Sequence, residues 1–140
     1  MALASQSLRP HPPLLQGLRV LVVEDEDDSR ELLDELLTYE GAEVETASDA
    51  ASGFAALVRF KPAVLLSDIG LPGEDGYSLI RRCRGLIADE GHVPAIAVTA
   101  FCRPEDRARS LAAGFDDHIC KPLDLGDLVQ RILRISGHEG

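Results

Sequence analysis

The segment VLLSDIGLPGEDG, residues 64–76, joins an apolar run to a turn-rich stretch at a single acid. The apolar residues Val64–Leu66 are bounded by turn residues, which predicts a short buried strand. Three glycines and a proline mark the loop that follows. Asp68 would then lie at the carboxyl end of the strand, held by a rigid element yet facing solvent. For an isolated Asp, the alternative interpretation is a helix cap or a loop acid.

The composition of the 140-residue chain indicates one domain with a hydrophobic core. Hydrophobic residues make up 45%, and 24 acidic residues against 14 Lys and Arg give a formal net charge of −10. This charge argues against direct binding of nucleic acid, and no apolar run approaches the roughly 20 residues that span a bilayer. The three cysteines lack metal-ligand spacing and no signal peptide is readable, which favours a cytoplasmic protein without a disulfide framework.

Strand-like and helix-like patterns alternate five times along the chain. Residues 1–17 are predicted to be a disordered leader or an interdomain linker, because this segment is Pro-rich. Strands are predicted at 18–23, 42–47, 64–68, 93–98 and 115–120, and helices at 26–40, 48–60, 75–88, 104–114 and from residue 124 onward. In the third helix, Cys83 is expected to face the core, while Arg81, Arg82 and Arg84 point outward. The alternation predicts an α/β domain over residues 18–136, with a parallel sheet covered on both faces, and a tail at 137–140.

Polar residues gather where the predicted strands end. Glu24 and Asp25 follow the first strand, Asp68 the third, Thr99 the fourth and Lys121 the fifth. In such folds the site lies beyond the carboxyl ends of the strands, so these residues are expected to meet. Three crowded acids repel one another unless a cation compensates, and oxygen-only ligands suit Mg²⁺. The lysine and the hydroxyl can bind phosphate oxygens, and a carboxylate can attack a phosphoryl group to form an acyl phosphate.

On these residues the chain resembles a two-component response-regulator receiver domain of the CheY-like type, over about residues 18–135. Four motifs carry the resemblance: Val22-Val23-Glu24-Asp25, SDIGLPGEDG at 67–76, Val98-Thr99-Ala100 and Lys121-Pro122. The resemblance implies a doubly wound, flavodoxin-like (βα)5 sheet with strand order 2-1-3-4-5 and a cis Lys121–Pro122 bond.

The resemblance also implies a role for each site residue. Asp68 would be the phosphoacceptor, with Thr99 as the switch hydroxyl and Lys121 as the phosphate-binding residue. The ligands of the Mg²⁺ cofactor would be Glu24, Asp25, Asp68 and the backbone carbonyl of Gly70.

His118 departs from the family pattern, and Cys120 lies next to one of the motif residues. His118 occupies a place where receivers often have Tyr or Phe, a side chain that turns inward on activation. A histidine there can still swing and would add pH dependence, and a partly exposed edge residue without a switch role is the alternative. Cys120 precedes Lys121, so its oxidation would disturb the site, although no resolving cysteine is evident.

The implied function is a phosphorylation switch in a phosphorelay. A histidine kinase or phosphotransfer protein would donate a phosphoryl group to Asp68. The face formed by the fourth helix, fifth strand and fifth helix would then change shape and control a downstream partner protein. The domain would catalyse only its own phosphorylation and dephosphorylation, without an external substrate. Receivers often dimerise through the same face, so a homodimer is left open.

Several alternatives remain at this stage. The chain is either a stand-alone receiver or the C-terminal receiver of a hybrid histidine kinase, serving intramolecular phosphorelay or autoregulation. Few residues follow the fifth helix, so we expect no output domain and no direct control of transcription. A phosphatase of the haloacid-dehalogenase type would need a second acid two residues after the nucleophile, where Gly70 stands. A module that acts without phosphorylation would not need Asp25, Asp68, Thr99 and Lys121.

Overall fold

The computed structural model of the protein describes residues 11–86 and 92–138. Within these ranges the chain forms a five-stranded parallel sheet with helices on both faces. The strands are β1 (Arg19–Val23), β2 (Glu43–Ala47), β3 (Val64–Ser67), β4 (Ala95–Thr99) and β5 (Asp117–Cys120). The helices are α1 (Asp27–Tyr39), α2 (Ala50–Phe60), α3 (Gly76–Arg84), α4 (Pro104–Ala113) and α5 (Leu125–Ser136). The spatial order β2-β1-β3-β4-β5 confirms the predicted fold class and topology.

Each face of the sheet carries its own hydrophobic core. Side chains alternate along a strand, so Val20 and Val22 of β1 face one core while Leu21 and Val23 face the other. Helices α1 and α5 cover the first core, and α2, α3 and part of α4 cover the second. Because both faces are covered, the central strands β1, β3 and β4 consist mainly of apolar residues, whereas the edge strands β2 and β5 include polar ones.

Local signals set the ends of the helices. Asp49, Asp75 and Asp124 cap α2, α3 and α5, each accepting a hydrogen bond from the amide three residues further on. Pro104 begins α4, as predicted. Helix α3 ends at Arg84, before Gly85 and short of the predicted end at residue 88, while residues 87–91 lie outside the described ranges. Within those ranges, no helix has the length and apolarity that crossing a bilayer requires.

Arg84 is more buried than the sequence predicts, so its expected outward orientation is wrong. Its side chain is 25% exposed. The guanidinium donates to the carbonyls of Val93 (2.6 Å) and Gly114 (3.0 Å) and to the carboxylate of Asp116 (3.0 Å). An arginine can cover its apolar stem while its charged end is paired. The side chain thus ties the end of α3 to the segments that lead into β4 and β5.

Residues 11–17 pack against the domain, which contradicts a disordered leader for this part, while the alternative of an interdomain linker stays a prediction. Leu15 is fully buried in the core beneath α1 and α5. Its amide donates to the carbonyl of Glu40 (2.8 Å), and the amide of Gly17 donates to that of Gly41 (2.9 Å). The prolines indicated an irregular segment, but the apolar pair Leu14-Leu15 was the signal for docking. Residues 1–10 lie outside the described ranges.

Leu15→Ala is expected to lower the free energy of unfolding by about 2 kcal/mol, since a buried Leu would leave a cavity. Urea denaturation measures this change. Leu111→Ala is the matched control: Leu111 lies in α4 and is 41% exposed, so its truncation should change stability by less than about 0.5 kcal/mol. Identical unfolding midpoints for Leu15→Ala and the native chain would show that the docked segment does not contribute to stability.

Candidate functional site

The carboxyl ends of the strands bring four charged side chains together. Glu24 and Asp25 follow β1 and Asp68 follows β3, and these two strands are hydrogen-bonded neighbours. Oxygens of the three carboxylates lie within 4.8 Å of one another. Lys121 follows β5 and reaches across β4, so that its Nζ donates to Glu24 Oε1 (2.6 Å) and to Asp68 Oδ2 (2.9 Å). These four predicted site residues therefore form one cluster. The adjoining Lys121–Pro122 bond is cis, as predicted.

Hydrogen bonds fix both the backbone and the carboxylate of Asp68. Its amide donates to the carbonyl of Val23 (2.9 Å), which fixes the backbone to the end of β1. One carboxylate oxygen, Oδ1, accepts from the amide of Gly70 (3.1 Å), and the other accepts from Lys121. The side chain is 13% exposed. The Asp68 carboxylate is thus oriented by the Gly70 amide and by Lys121, and it does not cap a helix.

Gly76 allows the loop after Asp68 to fold back against it. Its amide donates to the carbonyl of Ile69 (2.9 Å). A Cβ atom at this position would lie 2.3 Å from the Asp68 carbonyl oxygen and 2.8 Å from Ile69 Cα. Gly73 supplies the tight turn within the same loop, with φ of +73°. The glycines of the 64–76 segment thus shape the site without contributing side chains.

Glu24 and Asp25 differ in exposure although they are adjacent. Glu24 is buried, with 3% of its surface exposed, and its Oε2 accepts from the amide of Glu26 (3.2 Å), whereas Asp25 is exposed. Burial raises the pKa of Glu24, and the nearby charge of Asp68 acts in the same direction. Burial acts to lower the pKa of Lys121, but its hydrogen bonds to Glu24 and Asp68 outweigh this effect and raise it. Lys121 therefore stays charged at neutral pH.

The donor atoms of the cluster suit a hard divalent cation. They are carboxylate oxygens from Glu24, Asp25 and Asp68, without nitrogen or sulfur, and such donors fit Mg²⁺ with its remaining positions filled by water. The backbone of Gly70 contributes an amide to Asp68, and its carbonyl as a metal ligand stays a prediction.

Arg30 supports the acidic loop and was missed by the sequence analysis. Its guanidinium donates to the backbone carbonyls of Glu24 (3.0 Å) and Asp25 (3.4 Å) and to the carboxylate of Asp27 (2.6 Å). The sequence feature that could have indicated this role is an arginine in the first turn of a helix that follows a run of acidic residues. The side chain folds back and fixes the turn from which Glu24 and Asp25 project.

Thr99 and His118 lie on β4 and β5 beside the cluster. Thr99 is buried, and its Oγ1 accepts from the amide of Phe101 (3.2 Å). His118 is 4% exposed, so the alternative of a partly exposed edge residue is wrong, because α4 covers this edge of the sheet. Its Nε2 donates to the carbonyl of Phe101 (2.8 Å), and its Nδ1 is 2.8 Å from Ser110 Oγ. A carbonyl can only accept, which places a proton on Nε2.

The loop after β4 contains two further residues that the sequence analysis missed. The ring of Phe101 is 46% exposed and lies over Gly70, with its Cζ 3.5 Å from where a Cβ would be. Cys102 approaches Cys120, because its Sγ is 3.5 Å from the carbonyl of Thr99 and Thr99 lies opposite Cys120; no resolving cysteine was evident from the sequence alone. Residues far apart in sequence meet here because β4 and β5 pair, with Thr99 opposite Cys120. Cys83, by contrast, is fully buried in the core, as predicted.

A family model described as the response regulator receiver domain matches residues 20–133. The chain belongs to this family. It is 42% identical over 118 residues to an uncharacterised 14.6 kDa protein of Leptolyngbya boryana, which covers 84% of this chain and 89% of that protein. It is 36% identical to the transcriptional regulatory protein TrcR of Mycobacterium tuberculosis, over 98% of this chain and 53% of TrcR. The chain thus spans about half the length of the transcriptional regulators that it matches.

A solved receiver domain has the same fold. It is the receiver domain of the sensor histidine kinase PA1611 from Pseudomonas aeruginosa, with a magnesium ion coordinated in its active-site cleft. The TM-score is 0.78 at 31% identity, and the match covers 87% of this chain and 99% of that one. The structural likeness therefore extends over nearly the whole of the solved domain.

The raised pKa of Glu24 predicts how pH affects the stability of this receiver domain. The folded state holds the Glu24 proton more tightly than the unfolded state, so this residue lowers stability as pH rises from its ordinary value of 4.5 through the raised value. Glu24→Gln removes this titration. We expect the free energy of unfolding of the variant, relative to the native chain, to increase with pH across that interval.

The measurement is urea denaturation of both proteins at a series of pH values, with a chelator present so that cation binding does not contribute. Glu31→Gln, an exposed acid of α1, is the control and should show no such trend. A constant difference between Glu24→Gln and the native chain would contradict the prediction.

Proposed function

We propose that this receiver domain accepts a phosphoryl group on Asp68 and passes the resulting change to a partner protein. The observation that carries the proposal is the 2.9 Å contact between Lys121 Nζ and Asp68 Oδ2, within a cluster of three carboxylates. The cluster combines an oriented nucleophile, a fixed positive charge and oxygen ligands for a cation. Phosphoryl transfer needs mainly positioning and neutralisation of charge, and these groups can supply both.

Glu24, Asp25 and Asp68 would hold Mg²⁺, with the Gly70 carbonyl as a further ligand. The magnesium ion in the cleft of the PA1611 receiver domain supports the same cofactor here. When bound, Mg²⁺ supplies positive charge next to the phosphoryl oxygens. Asp25 is the exposed member of the acidic trio, so we assign it the most direct contact with a hydrated ion. Buried Glu24 would act largely through water.

In the transfer step, a carboxylate oxygen of Asp68 forms a bond to phosphorus. The phosphorus–nitrogen bond of a phosphohistidine on the donor protein breaks, and the released imidazole takes a proton from solvent. The product is an acyl phosphate. Lys121 already lies between Glu24 and Asp68, so a small movement of Nζ brings it to a phosphoryl oxygen. Later attack by water on phosphorus would break the acyl–phosphate bond, release inorganic phosphate and return the Asp68 carboxylate; we assign the domain no other substrate.

Thr99 and His118 would convert this local event into a change of shape. The hydroxyl of Thr99 would turn from the Phe101 amide toward the phosphoryl group. His118 joins the loop to α4, because it contacts both the carbonyl of Phe101 and the hydroxyl of Ser110. A shift of the loop would therefore alter the face formed by α4, β5 and α5, which we assign as the surface that partners recognise.

The phosphoryl donor would be a histidine kinase or a phosphotransfer protein, acting in the cytoplasm, and the output would be a downstream protein or a homodimer. The similarity to full-length transcriptional regulators and to the receiver of a sensor kinase supports two settings for the domain. It serves either as a response-regulator receiver or within a hybrid kinase, in intramolecular phosphorelay or autoregulation. Its own surface, with a net charge of −10, fits protein contact rather than nucleic acid.

Incubation with acetyl phosphate tests the proposal without knowledge of the kinase. Intact mass spectrometry should show a gain of one phosphoryl group in the presence of Mg²⁺ and none when a chelator replaces it. A folded protein, verified by circular dichroism, that gains no phosphoryl group would overturn the proposal. Sustained hydrolysis of p-nitrophenyl phosphate would instead favour the phosphatase alternative.

A further inference from the structure

Two exposed thiols meet at the rim of the site. Cys120 is the last residue of β5 and immediately precedes Lys121, and Cys102 lies in the loop between β4 and α4. Both are exposed free cysteines, and the thiol of Cys102 reaches the carbonyl of Thr99, the residue that lies opposite Cys120 in the sheet. We propose that Cys102 and Cys120 form a reversible disulfide that joins the β4–α4 loop to the end of β5 beside Lys121.

The backbone around the two cysteines favours this bond. Thr99 lies opposite Cys120 in the parallel ladder, and its carbonyl accepts the amide of Lys121 (2.9 Å). The thiol of Cys102 also reaches this carbonyl, with Sγ 3.5 Å from the oxygen. The sulfur of Cys102 and the amide of Lys121 thus share the Thr99 carbonyl as a partner. The proposed bond would form when the two exposed side chains turn toward each other.

The third cysteine cannot take part. Cys83 is fully buried on α3, within the core on one face of the sheet. Oxidants and alkylating reagents therefore do not reach its thiol in the folded protein, whereas Cys102 and Cys120 are exposed. The chain therefore contains one accessible pair and one inert cysteine, which serves as an internal control.

Hydrogen peroxide is the oxidant that we assign. One thiol reacts with peroxide to give a sulfenic acid and a first water molecule. The other thiol then attacks that sulfur, the S–O bond breaks, and a second water leaves with the remaining thiol proton. Two thiols and one peroxide thus yield one disulfide and two waters. Interaction with Cys120 raises the pKa of the Cys102 thiol to about 11, so the reaction should be faster in mildly alkaline buffer.

The disulfide would restrain the proposed switch, an effect that rests on the proposed function. The covalent ring would enclose residues 102–120, which contain the whole of α4 and β5. The loop that carries Phe101 would be tied to β5, and Phe101 is the residue whose carbonyl His118 contacts. We expect the oxidised domain to be phosphorylated at least about fivefold more slowly, the lower end of the coupling found between distinct protein sites.

The first test detects the bond itself in the full chain. The protein is treated with dilute hydrogen peroxide, free thiols are alkylated, and the digest is analysed by mass spectrometry. We expect one linked peptide pair joining Cys102 to Cys120, removal of the link by dithiothreitol, and alkylation of Cys83 only after unfolding. Cys102→Ser and Cys120→Ser should each lose the link, and Cys83→Ala should retain it. Separate sulfinic acids or links only between chains would overturn the proposal.

The second test measures phosphorylation by acetyl phosphate and Mg²⁺ before and after oxidation. We expect slower phosphorylation of the oxidised native chain, recovery with dithiothreitol, and no effect of peroxide on Cys102→Ser. If the disulfide-linked chain is phosphorylated as fast as the dithiothreitol-treated chain, the regulatory role is overturned, but the disulfide itself is not. A reduced chain that is never phosphorylated would refute the proposed function, and the linked peptide would still decide the disulfide.

Discussion

Asp68→Asn is expected to abolish the gain of a phosphoryl group that acetyl phosphate and Mg²⁺ produce in the native chain. Asn preserves the shape of the side chain and can still accept from the Gly70 amide at 3.1 Å. The neutral amide oxygen of Asn is a poor nucleophile, and it does not form a stable bond to phosphorus. The change also removes one charge from the trio of acids and one partner from Lys121. The loss should therefore be complete within the limits of intact mass spectrometry.

Asp28→Asn is the matched control for this experiment. Asp28 is an exposed acid in the first turn of α1, near the site but not among the three clustered carboxylates. The same chemical change there should leave phosphorylation intact. Urea denaturation shows whether Asp68→Asn remains folded, which we expect because fewer like charges then repel one another. A phosphoryl group that persists in Asp68→Asn would show that another residue is the nucleophile.

Gly76→Ala is expected to lower the free energy of unfolding by about 3 kcal/mol or more. The new Cβ would lie 2.3 Å from the Asp68 carbonyl oxygen and 2.8 Å from Ile69 Cα. Both are backbone atoms, so no side-chain rotation relieves the clash. The hydrogen bond from the Gly76 amide to the Ile69 carbonyl would lengthen as the loop moves away. Since the carbonyl of Asp68 itself must shift, phosphorylation by acetyl phosphate should slow as well.

Gly85→Ala provides the matched control, because it inserts the same methyl group without a severe clash. Gly85 caps α3 with φ of −77°, and the nearest atom to a new Cβ there is 3.4 Å away. Its effect on stability should stay within about 0.5 kcal/mol. Urea denaturation compares the two variants with the native chain. Equal stability of Gly76→Ala and Gly85→Ala would mean that the loop after Asp68 relaxes without cost.

Much of the fold was predictable because the decisive signals are local. Apolar runs such as Val20–Val23, which alternate with helical patterns, predicted parallel strands between helices, and Pro104 marked the start of α4. The ends of those strands then predicted the cluster of Glu24, Asp25, Asp68 and Lys121. This inference succeeded because the carboxyl ends of parallel strands converge at one edge of the sheet. The same local pattern led to a predicted α3 that extends to residue 88, beyond its observed end at Arg84.

The predictions that were wrong concern contacts between distant segments. The apolar pair Leu14-Leu15 was a weak signal in a Pro-rich segment, and the core beneath α1 and α5 is what makes Leu15 a docking point. Arg84 has the charge of a surface residue, yet two carbonyls and one carboxylate lie where they satisfy it. Whether a polar side chain is buried depends on the partners that the fold brings to it. The hydrophobic periodicity of the sequence does not indicate which partners a polar side chain will meet.

The order of residues along this chain is enough to indicate a doubly wound sheet, the acidic residues at its edge and the lysine that faces them, because each follows from where a strand ends. Pairing of β4 with β5 is what brings Cys102 to Cys120 and encloses His118 between Phe101 and Ser110. These contacts depend on distances across the sheet and on the packing of α4 over its edge. The spacing of residues in the sequence does not give distances across the sheet or the packing of α4, so these contacts are seen only in the folded chain.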